Sequence, residues 1–167
     1  MAIPKNFQDQ DSKSNYTKLT AGKHRLRILG EAITGWVWWT DTPEGGRKPN
    51  RVLENEPVPV DGGENAAKFL AFPVFNYTTG NIQILEVTQK TLKRPLLALE
   101  ADADWGDLKD YDIEIERTGM DKTNTKYFVN PKPKQPLSDA LQANIAANGL
   151  PELKMLYFSG DPFAEKL

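Results

Sequence analysis

The chain has no cysteine and a single histidine, His24. Without thiols there is no disulfide framework and no thiolate metal site, and one imidazole is too little for a zinc centre, so neither metal nor cofactor is expected. Long apolar runs are missing as well. No stretch approaches the about 20 residues of a membrane helix, and the polar residues 1–19 lack the apolar segment of an export signal. The expectation is a soluble protein of the cytoplasm. A Walker-type glycine loop is absent, which argues against ATP-driven work. His24 lies between Lys23 and Arg25 with no nucleophile elbow, which argues against a Ser/His/Asp triad.

Excess positive charge is also missing: the 167 residues sum to -2. That total hides an uneven distribution. Between Glu100 and Arg117 stand eight acids (Glu100, Asp102, Asp104, Asp107, Asp110, Asp112, Glu114, Glu116) against two bases, so the rest of the chain carries 15 acids and 19 bases, net +4. A basic surface with one acidic quarter is the expected outcome. The start of a calcium loop is visible at Glu100, Asp102 and Asp104, but Trp105 occupies the position that needs glycine. Asp112, Glu114 and Glu116 alternate with Ile113 and Ile115 and read as the wet side of a half-buried strand rather than as a nuclease carboxylate cluster.

Residues 1–17 are too polar to form a core and are expected to stay flexible. Residues 23–40 read as one long strand interrupted at Gly30 and Gly35, glycines that mark bends in a curled sheet. Residues 41–66 hold four prolines and four glycines and read as a long loop. Strands at 68–77 and 81–88 form a hairpin around Thr78, Thr79 and Gly80, with Leu70, Phe72 and Val74 inward and Ala71, Pro73, Phe75 and Tyr77 on the other face. A helix starts near Arg94 with Pro95 in its first turn. Strands follow at 111–117 and at 126–130, the latter ended by Pro131 and Pro133. Ser138 caps a last helix through Asn148 that stops at Gly149 and Pro151.

Three strands, a helix and two strands give a mainly β chain with the element order of a five-stranded OB-fold barrel (β-β-β-α-β-β), here followed by a short C-terminal helix. The domain plan is a flexible segment 1–17, the barrel 18–136, and a helix and tail 137–167. Such barrels bind single strands by stacking bases on exposed rings beside cationic side chains. Candidate rings are Trp36, Trp38, Trp39, Phe75, Tyr77 and Tyr127. Candidate phosphate partners are Arg25, Arg27, Lys48, Arg51, Lys126 and Lys132.

The runs Arg25-Leu-Arg-Ile-Leu29, Gly35-Trp-Val-Trp-Trp-Thr40, Phe72-Pro-Val-Phe-Asn-Tyr77, Gln83-Ile-Leu-Glu-Val-Thr-Gln-Lys90, Asp104-Trp-Gly-Asp107, Tyr111-Asp-Ile113, Arg117-Thr-Gly119 and Pro131-Lys-Pro-Lys134 occur in an order that resembles phage-encoded OB-fold single-stranded DNA-binding proteins. The likeness spans residues 18–139. It implies a non-enzymatic protein of the host cytoplasm that coats unwound DNA during phage replication and recombination, independently of sequence. It also brings in phage or host replication proteins as partners of the C-terminal tail, although residues 159–167 carry little net charge. Some relatives carry a zinc ribbon, which this chain cannot build. The alternative reading is a virion structural or assembly protein on a small β-barrel.

Overall fold

In the computed structural model, which describes residues 15–56, 66–119, 124–158 and 160–163, the apolar run at 22–41 becomes two strands. β1 (Gly22–Ile28) and β2 (Ile33–Asp41) are parted by a corner at 29–32. There a Cβ on Gly30 would lie 3.0 Å from Pro73 and 3.3 Å from Leu150, so a larger residue would push one of them aside.

The expected loop at 41–66 contains another strand, β3 (Arg47–Leu53), paired antiparallel with β2 from Gly35↔Leu53 to Asp41↔Arg47. Its turn is closed by Thr42 N donating to Gly46 O at 2.8 Å. Pro49 is tolerated because β3 is an edge strand, where a missing N–H leaves no ladder bond unmade. Gly35 is required by close approach: a Cβ there would meet Val52 O at 2.0 Å. Residues 57–65 of the expected loop, and 120–123 of the one before the last strand, lie outside the described residues.

β4 (Ala67–Asn76) and β5 (Asn81–Val87) form the expected hairpin, in register from Leu70↔Val87 to Asn76↔Asn81. The other edge of β4 is shared in tandem by β2, at Ile33↔Ala71 to Val37↔Ala67, and by β1, at Leu26↔Asn76 to Ile28↔Val74. Helix α1 (Lys90–Ala101) begins a turn earlier than the sequence indicates and carries Pro95 inside. Leu92 and Leu96, both buried, flank the proline, and their burial outweighs the one lost backbone bond. A 3-10 turn at Leu108–Asp110 leads into β6 (Tyr111–Thr118), which pairs with β1 and with β7 (Lys126–Lys134). β7 does not stop at Pro131. As the last strand of the sheet it has one unpaired edge, and both prolines lie within it. α2 (Asp139–Asn148) has the cap the sequence marks, Ser138 Oγ accepting from Leu141 N at 3.2 Å.

The strands thus make one open, antiparallel, seven-stranded sheet in place of the expected five-stranded closed barrel. Closure would pair β5 with β7, and no such ladder exists among the described residues. Part of the β5 edge is taken instead by residues 15–17: Thr17 N donates to Ile84 O and Ile84 N to Asn15 O, both at 2.8 Å. The segment expected to be flexible through Thr17 is therefore held from Asn15 onward.

Each face of β4 is covered. On one, Leu26, Ile28, Phe72, Val74, Leu85 and Ile113 pack with Leu92 and Leu96 of α1. On the other, Val37, Phe69, Ala71 and Ile84 pack beneath a C-terminal 3-10 segment, Leu153–Phe158, through Leu153 and Leu156. Tyr157 fastens that segment, its hydroxyl donating to Thr34 O at 2.6 Å. This second layer is why Ala71, expected on the uncovered side, is buried, whereas Pro73 is buried beside the corner at Leu29 and Gly30. No helix among the described residues is long and apolar enough to cross a membrane.

Candidate nucleic-acid interface

Alternation along β1 points Leu26 and Ile28 into the first core and Lys23, Arg25 and Arg27 to the opposite face. Register sets the neighbours of these cations on β6: Lys23↔Glu116, Arg25↔Glu114 and Arg27↔Asp112. On β4, Arg27 faces Phe75. On β7, Glu116 faces Phe128, Glu114 faces Asn130 and Thr118 faces Lys126. One continuous surface across β4, β1, β6 and β7 therefore carries aromatic, cationic and carboxylate side chains.

Asp112 organises this face from below. It is fully buried, and five bonds converge on its carboxylate. Arg25 donates to Oδ2 from Nε at 3.0 Å and Nη2 at 2.8 Å. Arg27 Nη1 and the Tyr77 hydroxyl donate to Oδ1 at 3.4 Å and 3.0 Å, and Gln135 Nε2 reaches Oδ2 at 3.3 Å. The reading of Asp112 as a solvated strand residue is corrected by these donors, which lie 23 to 87 positions away in sequence.

Above the carboxylate, Phe75 and Tyr77 meet edge to face with ring centroids 5.0 Å apart, and the Arg25 guanidinium lies 5.5 Å from the Tyr77 ring. Tyr77 is 44% exposed and Phe128 49%. Burial, then the Asp112 charge and the bond to it, hold the Tyr77 hydroxyl above its usual range, so it stays a neutral donor. Around the rings stand Lys23, Lys126 and Lys132. Glu114 draws Lys132 to 3.5 Å and Lys23 to 4.0 Å. With the buried Arg27 and Asp112 set aside, Lys23, Arg25, Lys126 and Lys132 share the face with Glu114 and Glu116, leaving it net positive.

A second group sits on the β2–β3 hairpin: Trp39, 49% exposed, with exposed Arg47 and Lys48 nearby. The Leu153–Phe158 segment and the layer under it lie between the two groups.

Four candidates are withdrawn from the surface. Arg27 is 3% exposed and committed to Asp112, Lys109 O (3.0 Å) and Gln135 O (2.8 Å). Arg51 is buried, with Nη2 2.6 Å from Glu86 Oε2 and its guanidinium 5.9 Å from the Phe69 ring. Trp38 is buried, and Tyr127 packs against the first core; Trp36 is half-buried. Phe128 takes the place the sequence reading assigned to Tyr127. The signal was present: Val129 shares parity with Tyr127, and an inward Val129 turns Phe128 outward.

No protein-family model, curated protein or solved structure matches the chain. Among the described residues no group of three or more His, Cys, Asp or Glu side chains is placed to hold a metal ion.

Proposed function

We propose that this protein binds single-stranded nucleic acid, DNA in the first instance, without catalysis, laying the strand across the β4–β1–β6–β7 face. The observation that carries the reading is the pair of partly exposed rings, Tyr77 and Phe128, set among Lys23, Arg25, Lys126 and Lys132. Flat rings accept any base, and the cations neutralise phosphates, so recognition is independent of sequence. The strand path also suits an OB-type arrangement: β1 with β2 as one bent strand, then β4, β5, α1, β6 and β7, with β3 inserted. Taken with the likeness to phage single-strand binders, the role is coating of unwound DNA in the host cytoplasm during phage replication and recombination.

The test is anisotropy of a labelled oligo-dT. Phe128→Ala removes a ring that has no hydrogen bond to lose, and loss of one stacking ring, about 1 to 3 kcal/mol, weakens binding about 5- to 150-fold. Affinity within about twofold of the unaltered protein, or no binding at low salt, overturns the proposal.

The assembly reading is favoured by a different observation. Exposed Leu53 and Phe158 border an open apolar groove of about 630 Å³. A protein that uses this groove for assembly forms oligomers by light scattering that are lost in Phe158→Ser and indifferent to oligonucleotide.

A further inference from the structure

The acidic quarter of the sequence is divided by the fold. Asp112, Glu114 and Glu116 belong to the face just described. The earlier acids gather at the C-terminal end of α1 and the turn after it, beside a cavity of about 200 Å³. The floor of that cavity is apolar: Ile28, Leu70, Phe72, Leu96 and Leu108. A cavity of about 150 Å³ suffices for a benzene ring, so this one admits a leucine or phenylalanine side chain. Leu97, at the rim, is 58% exposed, next to Leu96, which is buried on the inner side of the same helix.

Around the opening stand Glu31, Glu100 and Asp107 with one base, Lys109, which is already paired with Glu31 and lies 3.5 Å from Asp107. Asp102, Asp104 and Asp110 continue the acidic surface in the same stretch of chain. The field is felt nearby. The Tyr111 hydroxyl is pushed up to about 12, first by burial and then by Glu100, Asp107, Asp102 and Asp110.

We infer that this pocket is a protein-docking site for a basic segment that inserts one leucine- or phenylalanine-sized side chain while its lysines or arginines lie against the carboxylate rim. Charge complementarity selects the occupant. Phosphodiester strands and anionic lipid surfaces are repelled by the rim, and a neutral apolar segment leaves it unmatched. Ile28 and Phe72 line the pocket from one face of β1 and β4, whereas Arg27 and Phe75 lie on the other, so the pocket opens away from the proposed nucleic-acid surface. Both surfaces are free to be occupied at once, and the inference stands independently of the nucleic-acid reading.

The probe is a short blocked peptide of lysines around a single phenylalanine, titrated into the full chain while the methyl signals of Leu96, Leu97 and Leu108 are followed by NMR. Expected is saturable binding that shifts those methyls. It weakens about tenfold when the phenylalanine of the peptide is replaced by alanine. The deciding variant is Leu97→Asp, at an exposed position, which adds a negative charge but spoils the apolar rim. Insertion predicts about tenfold weaker binding, whereas attraction by charge alone predicts equal or tighter binding. Glu31→Lys, an exposed charge reversal, is expected to weaken binding. An unaffected or tighter Leu97→Asp complex, indifference to the phenylalanine, or no shift at these methyls overturns the inference.

Discussion

Replacing Asp112 by asparagine removes one negative charge from the point where Arg25, Arg27, Tyr77 and Gln135 converge, and it changes almost nothing in shape. The consequence differs for the two arginines. Arg25 is nearly half exposed and returns to water at little cost. Arg27 is 3% exposed and loses its only carboxylate partner among the described residues while staying buried. Breaking a buried pair from one side costs about 3 to 5 kcal/mol, and because Arg27 keeps the Lys109 and Gln135 carbonyls the lower end, about 3 kcal/mol, applies. In urea, with a slope of about 1.5 kcal/mol/M, the unfolding midpoint falls by about 2 M. Glu114→Gln, on the same strand with partly exposed partners, is expected to change stability by less than about 0.5 kcal/mol. Arg27→Met added to Asp112→Asn recovers part of the loss, because the stranded charge is gone. An unfolding free energy for Asp112→Asn within about 0.5 kcal/mol of the unaltered protein refutes the assignment of Asp112 as the buried counter-ion of this face.

Gly35→Ala forces a Cβ to 2.0 Å from Val52 O; the β2–β3 ladder must open, with a loss of a few kcal/mol in denaturant unfolding and disappearance of the Trp39-side amide protection in hydrogen exchange. Leu156→Ala, in the layer under the C-terminal segment, is expected to cost about 2 to 5 kcal/mol by the same unfolding assay. The folded state holds the Tyr111 hydroxyl up to about 12 against 10.0 for an ordinary tyrosine, so the contribution of Tyr111 to stability is level below about pH 10 and is lost as pH rises from about 10 to 12. Tyr111→Phe flattens that fall, which thermal unfolding across the alkaline range measures.

The parts of the fold that were legible in sequence rest on local pattern. The β4–β5 hairpin follows from two apolar runs around Gly80, and α2 from Ser138 and Gly149, because turn and cap chemistry act over a few residues. What was not legible depends on pairing across distance. Arg27 alternates with Leu26 and Ile28 and so points away from the first core, as expected, but the chain beyond β7 brings Gln135 over it and makes that side an interior too. Arg51 is taken inside by Glu86 in the same way. β3 was hidden because proline and glycine argue locally for a loop, whereas the exposed edge of β2 supplies the partner that makes a strand. Of the candidate site, Arg25, Phe75, Tyr77, Lys126 and Lys132 share one face, Trp39 and Lys48 lie on the hairpin, and Phe128 was missed by one position of parity. A single-residue choice on β7 exchanged an outer ring for an inner one.

The most direct test of the central claim is photocross-linking of oligo-dT to the intact protein, followed by digestion and mass spectrometry of the modified peptides. Cross-links at Phe75, Tyr77 and Phe128, reduced by salt and by Phe128→Ala, are predicted. Cross-links confined to the Trp39 hairpin, or none at low salt, contradict the account.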